Sequence, residues 1–107
     1  MTATVSTHVL DAVTGTPAAG VAVVLTDADG TRIAAGSTDA DGRIGAITPS
    51  PIPPGRYRLA FDTGAWFAAR GRDTFYPEVV VAFDHLGGHC HVPLLLSPFA
   101  YSTYRGS

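Results

Sequence analysis

The chain has no lysine. All seven of its basic residues are arginine, and they are dispersed along a sequence of formal net charge -2. No basic stretch exists that could track a phosphate backbone or an anionic membrane, which excludes nucleic acid and membrane as expected partners. Cysteine occurs once, as Cys90, so no internal disulfide can form. No apolar run approaches the roughly 20 residues of a membrane span. The opening segment MTATVSTHVLDAV carries neither a basic leader nor an apolar stretch of signal-peptide length, and the expected location is the cytoplasm. Internal repeats and low-complexity segments are missing as well.

What is present is a turn-rich globular composition: 46% hydrophobic, 15% charged, 12 Gly and 8 Pro in 107 residues. That length supports one hydrophobic core and predicts a single domain over residues 1–107. Short β-rich runs recur between Gly, Pro and Asp clusters, and about eight strands are expected. TVSTHVLD comes first. VAVVLTD and TRIAAGST flank ADG, a hairpin signal, and TDADGRIGAI repeats the same turn chemistry before a short strand. In RYRLAFD, Tyr57, Leu59 and Phe61 alternate with Arg56, Arg58 and Ala60, which predicts one buried and one exposed face. TGAWFAARG is the one helical segment, with Thr63 as the expected N-cap, Gly71 as its stop, and Trp66 and Phe67 as packing residues.

HVPLLLS departs from simple alternation. Val92, Leu94 and Leu96 share one parity, while Pro93 and Leu95 share the other with His89 and His91. A small sandwich covers only its inner face from within, so the outer face is expected to pack on another subunit. In the first strand Val5 and Val9 fit the core, and His8 falls on the outer parity with Ser6 and Leu10.

Four polar residues therefore converge on or near that outer face: His8, Arg43 after the DADG turn, His91, and Tyr104 at the parity of Ser102. Each alone reads as a solvated side chain. Together, two imidazoles, a guanidinium and a phenol can add water to a carbonyl. One neutral histidine takes the proton from water, the other protonates the leaving nitrogen, and Arg43 polarises the carbonyl. His89 and His91 also have zinc-ligand spacing, but no cysteine pair or nearby carboxylate completes a set, and no metal is expected. His85, in FDHLGG, reads as a bystander in a surface loop. Cys90 reads as a buried, inert thiol. Ser107 lacks a Gly-x-Ser-x-Gly elbow or an Asp-His relay, which argues against covalent serine catalysis; its hydroxyl or the terminal carboxylate is left to orient water or substrate.

STHVLDAVTGTPAAGVAV (residues 6–23) and HCHVPLLLSPFAYSTYRGS (residues 89–107) closely resemble the 5-hydroxyisourate hydrolases, the transthyretin-like proteins of purine degradation. TDADGR, PGRYRLAFDTGAWFAARG and FYPEVVVAF fall between them in the expected order. The departures are Cys90, where an aromatic is common, and Trp66, where tyrosine is common.

The resemblance implies an all-β, transthyretin-like sandwich of two four-stranded antiparallel sheets with one short helix. It implies a homotetramer, a dimer of dimers, with active sites at the mouths of a central channel. It carries catalytic roles to His8, Arg43 and His91, and substrate contacts to His8, Arg43, Tyr104, Arg105, Gly106 and Ser107. The small-molecule substrate would be 5-hydroxyisourate, opened at its N1–C6 amide bond to 2-oxo-4-hydroxy-4-carboxy-5-ureidoimidazoline. No cofactor is implied, and the roles of base and acid stay open between the two histidines. The competing class is a transthyretin-type carrier, which would lack the tail and the histidine–arginine set.

Overall fold

The computed structural model describes residues 3–106. Its elements are β1 (Ala3–Asp11), β2 (Thr16–Pro17), β3 (Ala22–Asp27), β4 (Arg32–Ser37), β5 (Arg43–Ile44), β6 (Gly55–Phe61), α1 (Thr63–Ala68), β7 (Val79–His85), β8 (Gly88–Ser97) and β9 (Ala100–Thr103). They form the expected all-β sandwich. One sheet runs β4-β3-β6-β7; the other runs β2-β1-β8-β9, with β5 also paired to β1.

The second sheet refines the expectation in two ways. It has five strands, because β2 and β5 lie end to end along one edge of β1. It is also mixed, because β1 and β8 run parallel over their whole contact, from Ala3↔Gly88 to Asp11↔Leu96. The other sheet intervenes in sequence between these two strands and supplies the long crossover that a parallel pair needs.

The core fills the space between the sheets. Val5 and Val9 from β1, Val23 and Leu25 from β3, Leu59 and Phe61 from β6, and Leu94 and Leu96 from β8 are fully buried. In β6 the parity expected from RYRLAF is observed, with Tyr57, Leu59 and Phe61 inside. Each fully buried Leu or Phe contributes about 1.5–3 kcal/mol relative to an exposed one.

Both DADG segments fold alike. Asp27 Oδ1 accepts from the Asp29 and Thr31 N–H groups, and Asp39 Oδ1 accepts from those of Asp41 and Arg43, all near 3.0 Å. Gly42 takes φ +74°, and a Cβ there would run into the Val9 carbonyl oxygen, which leaves glycine as the residue that fits. This tight approach, closed by Val9 N–H donating to Gly42 O at 2.7 Å, delivers Arg43 to the edge of β1.

Two local expectations are corrected. The helix N-cap is Asp62, whose side chain accepts from Ala65 N–H; Thr63 is buried and donates its hydroxyl to Tyr76 O. His85 is no surface bystander. It closes β7 at 1% exposure, donates from Nε2 to Thr4 O at 3.0 Å, and accepts from Gly87 N–H at Nδ1 at 3.0 Å. Among the described residues, no helix is long and apolar enough to cross a membrane.

Candidate functional site

Strand register assembles the polar face. In a parallel pair, register partners stand side by side with their side chains on the same face. Thr4 stands beside His89, Ser6 beside His91, and His8 beside Pro93. On the other edge of β1, His8 is the register partner of Arg43. Thus His8, Arg43 and His91, far apart in sequence, meet on the outer face of one sheet. A cleft of about 300 Å³ opens there, lined by Ser6, Arg43, Ile44, Gly45, His89 and His91 among others.

Behind His91 lies a chain of side-chain hydrogen bonds. Ser6 Oγ is 2.7 Å from His91 Nδ1 and 2.7 Å from His89 Nε2. His89 Nδ1 is in turn 2.7 Å from Thr4 Oγ1. Ser6 is buried, whereas His89 is exposed, so the chain leads from the cleft floor to solvent. Among the described residues no protein group bonds His91 Nε2, which leaves that nitrogen for a ligand. Burial lowers the His91 pKa below its ordinary 6.5, and the Arg43 guanidinium, with added electrostatic influence from His8 and His89, lowers it further. The imidazole is therefore neutral at pH 7 and can accept a proton.

The tail follows from proline chemistry. Pro93 has no N–H to donate, and β9 stops pairing at Thr103, opposite Leu94. Thr103 Oγ1 donates to Pro93 O at 2.7 Å, and the chain rejoins β8 when Gly106 N–H donates to His91 O at 2.9 Å. A Cβ on Gly106 would collide with the His91 ring. Tyr104 consequently lies beyond the last strand rather than on it. It and Arg105 are exposed and line a second, larger cavity of about 610 Å³ between β7 and β8, which also touches Cys90, His91 and Gly106. The smaller cleft holds the more useful chemistry, since Arg43 and the Ser6–His91 pair open into it. Ser107 lies outside the described residues. Cys90 is half-buried, and burial raises its thiol pKa against a weaker opposing pull from Arg105, which keeps it protonated.

His8 and Arg43 thus share one sheet face with His91, and Gly106 packs on the His91 ring, while Tyr104 and Arg105 line the larger cavity on its far side. Sequence reasoning passed over Ser6 and Thr4. Their signal was available, since both share the parity of His8, but it gains meaning only once β1 and β8 are known to run in parallel.

The HIUase/Transthyretin family model matches residues 5–106. The 5-hydroxyisourate hydrolase of Salmonella dublin is 50% identical over 108 residues, covering 95% of this chain and 79% of the relative. The structure of Klebsiella pneumoniae 5-hydroxyisourate hydrolase superposes with a TM-score of 0.91 at 46% identity, over 98% of this chain and 94% of that one. Transthyretin from Sparus aurata superposes with a TM-score of 0.87 at 43% identity, over 97% of each chain. With a sandwich of this topology and a family match along nearly its whole length, the chain belongs to the HIUase/transthyretin family.

Proposed function

We propose that this protein hydrolyses 5-hydroxyisourate to 2-oxo-4-hydroxy-4-carboxy-5-ureidoimidazoline in urate degradation. The observation that carries the reading is the register that sets His91, His8 and Arg43 on one sheet face, where burial and the Arg43 charge favour the neutral imidazole. His91 Nε2 takes a proton from water as the water oxygen attacks C6. Arg43 polarises the C6 carbonyl and holds the charge that develops on its oxygen. The N1–C6 bond then breaks, and His8 supplies the proton that N1 needs to leave. The step balances with water alone. Gly106 packs the tail on the His91 ring, and Tyr104 and Arg105, which line the neighbouring cavity that His91 also borders, are assigned to substrate contact.

The same reading makes the protein a homotetramer. The outer face presents half-buried Leu10 and Leu95 beside the polar cleft, a surface suited to a second copy. The edges of β7 and β9 offer unpaired strands for the dimer contact. The unpaired Cys90 thiol suits a reducing compartment, in keeping with a cytoplasmic enzyme.

The decisive assay generates 5-hydroxyisourate in situ from urate with a urate oxidase and follows the decay of its ultraviolet band. Decay faster than the spontaneous rate, and lost in Arg43→Ala, is the expected result. Decay no faster than the blank, from well-folded protein, would overturn the reading. The likeness to Sparus aurata transthyretin gives a carrier as the second reading. Removing residues 104–107 separates the two, because a carrier keeps its ligand affinity and the hydrolase loses turnover.

A further inference from the structure

We propose, resting on the hydrolase reading above, that Thr4, Ser6 and His89 form a proton relay that connects His91 to solvent. Ser6 has one hydroxyl hydrogen and faces two imidazole nitrogens, each at 2.7 Å. It must donate to one and accept from the other. The same holds along the row, and with every group neutral only two arrangements satisfy all three bonds. In the first, His91 Nδ1–H donates to Ser6 Oγ, Ser6 donates to His89 Nε2, and His89 Nδ1–H donates to Thr4 Oγ1. His91 Nε2 then carries a lone pair. In the second, Thr4 donates to His89 Nδ1, His89 Nε2–H donates to Ser6, and Ser6 donates to His91 Nδ1. His91 Nε2 then carries a proton.

Passing from the first to the second moves one proton through the row. A proton from the attacking water binds His91 Nε2. His91 passes its Nδ1 proton to Ser6, Ser6 passes its own to His89 Nε2, and His89 passes its Nδ1 proton to Thr4, which releases one to water. Each group ends neutral with its protons conserved, and the attacking water's proton has somewhere to go while the bond to C6 forms. The row resets when His91 Nε2 hands its proton to His8, which has given one to N1, and Thr4 draws one back from water; the single proton released per turnover is that of the new carboxylic acid.

The surroundings make the neutral route preferable. A full imidazolium at His91 would sit half-buried near Arg43, His8 and His89, where another positive charge is disfavoured. The outer end of the row is held in place, because Gly87 N–H occupies His85 Nδ1, so His85 must carry its hydrogen on Nε2 and donate it to Thr4 O. That anchor fixes the Thr4 backbone opposite His89.

The test compares the wild-type protein with Ser6→Ala, Thr4→Val and His89→Ala in the 5-hydroxyisourate assay, in mixtures of H2O and D2O and across a series of imidazole buffer concentrations. Ser6→Ala should lower kcat by about tenfold or more with KM nearly unchanged, since the relay touches the proton and not the substrate. Rates of the wild type should depend on deuterium fraction along a curve, the mark of several protons in motion, and those of Ser6→Ala along a straight line. His89→Ala should regain rate as imidazole rises, and Thr4→Val, at the solvent end and away from the core, tests the row without disturbing packing. Wild-type kcat in Thr4→Val and His89→Ala, or a loss in His89→Ala that imidazole does not restore, would overturn the relay. Wild-type protein that fails to hasten 5-hydroxyisourate decay would instead remove the hydrolase reading beneath it.

Discussion

Gly106→Ala places one methyl group where the structure has least room for it. The new Cβ would overlap the ring of His91, meeting its Cβ, Cγ and Cδ2. Overpacking of this kind costs about 1–3 kcal/mol if nothing moves. Two elements can give way. The His91 ring is half-buried and tied to Ser6 at 2.7 Å. The tail is tied at this point by the Gly106 N–H to His91 O bond, which contributes about 0.5–1.5 kcal/mol. The tail is the weaker of the two and should lift off, taking Tyr104 and Arg105 from the pocket. Stability then changes by about 1 kcal/mol at most, a Tm shift of no more than about 4–8 °C. Turnover of 5-hydroxyisourate should fall by about tenfold to a hundredfold in kcat/KM, equivalent to about 1.4–2.8 kcal/mol of transition-state stabilisation. Calorimetry at fixed protein concentration and the ultraviolet decay assay read the two effects separately. Wild-type kcat/KM in this variant would refute the role given to the tail, and a collapse of Tm would show that Gly106 belongs to the fold rather than to the pocket.

Three further outcomes can be checked on the same preparation. Burial tends to raise the Asp11 pKa, but Arg72 at 2.7 Å and the N–H groups of Val13 and Thr14 outweigh it and hold the carboxylate below its ordinary 3.8. Asp11→Ala strands Arg72 and unties that turn, and should cost about 3 kcal/mol in urea denaturation; a loss under about 1 kcal/mol would refute the pair's importance. His85→Phe keeps the volume but leaves Thr4 O and Gly87 N–H without their partner, and should cost about 2–4 kcal/mol by the same measurement. The lowered His91 pKa sets the sign of the pH dependence. Because the neutral ring is the working form, the acid limb of kcat/KM should have its midpoint below 6.5. The unfolded chain takes up this proton near 6.5 and the folded chain only at lower pH, so the His91 contribution to stability is present above 6.5 and is lost as pH falls through the folded value. An acid limb centred above 6.5 would contradict the assignment of His91 as base.

The parts of this molecule that local chemistry decides could be read from residues alone. The DADG turns, the alternation of RYRLAF and the buried Val92, Leu94 and Leu96 each follow from side chains a few positions apart. His85 escaped the same treatment because FDHLGG looks like a polar loop. Its burial depends on β7 ending beside the start of β1, a contact across 81 positions. The N-cap was misplaced by one residue for a related reason: Thr63 is a good cap by type, but its hydroxyl is engaged by Tyr76 O on a neighbouring segment.

The polar face shows how far parity reasoning reaches and where it stops. Parity put His8 and His91 on the outer face, yet it cannot say which residues stand opposite each other. That depends on strand direction. Had β1 and β8 been antiparallel, as the simplest sandwich would have them, stepping up one strand would mean stepping down the other. Ser6 and Thr4 could not then both have met the two histidines in order. The parallel register sets Thr4 against His89 and Ser6 against His91, so two hydroxyls and two imidazoles alternate in a single row. The placement of Arg43 depends equally on register, because Gly42 lets the turn close on Val9 and brings β5 against β1 at His8. Shifting either pairing by one residue would turn the side chains to the opposite face and dissolve the cleft while leaving the hydrophobic count of the sequence unchanged. The chemistry of this surface is therefore a property of strand register, which explains why a composition so plain can hold so ordered a site.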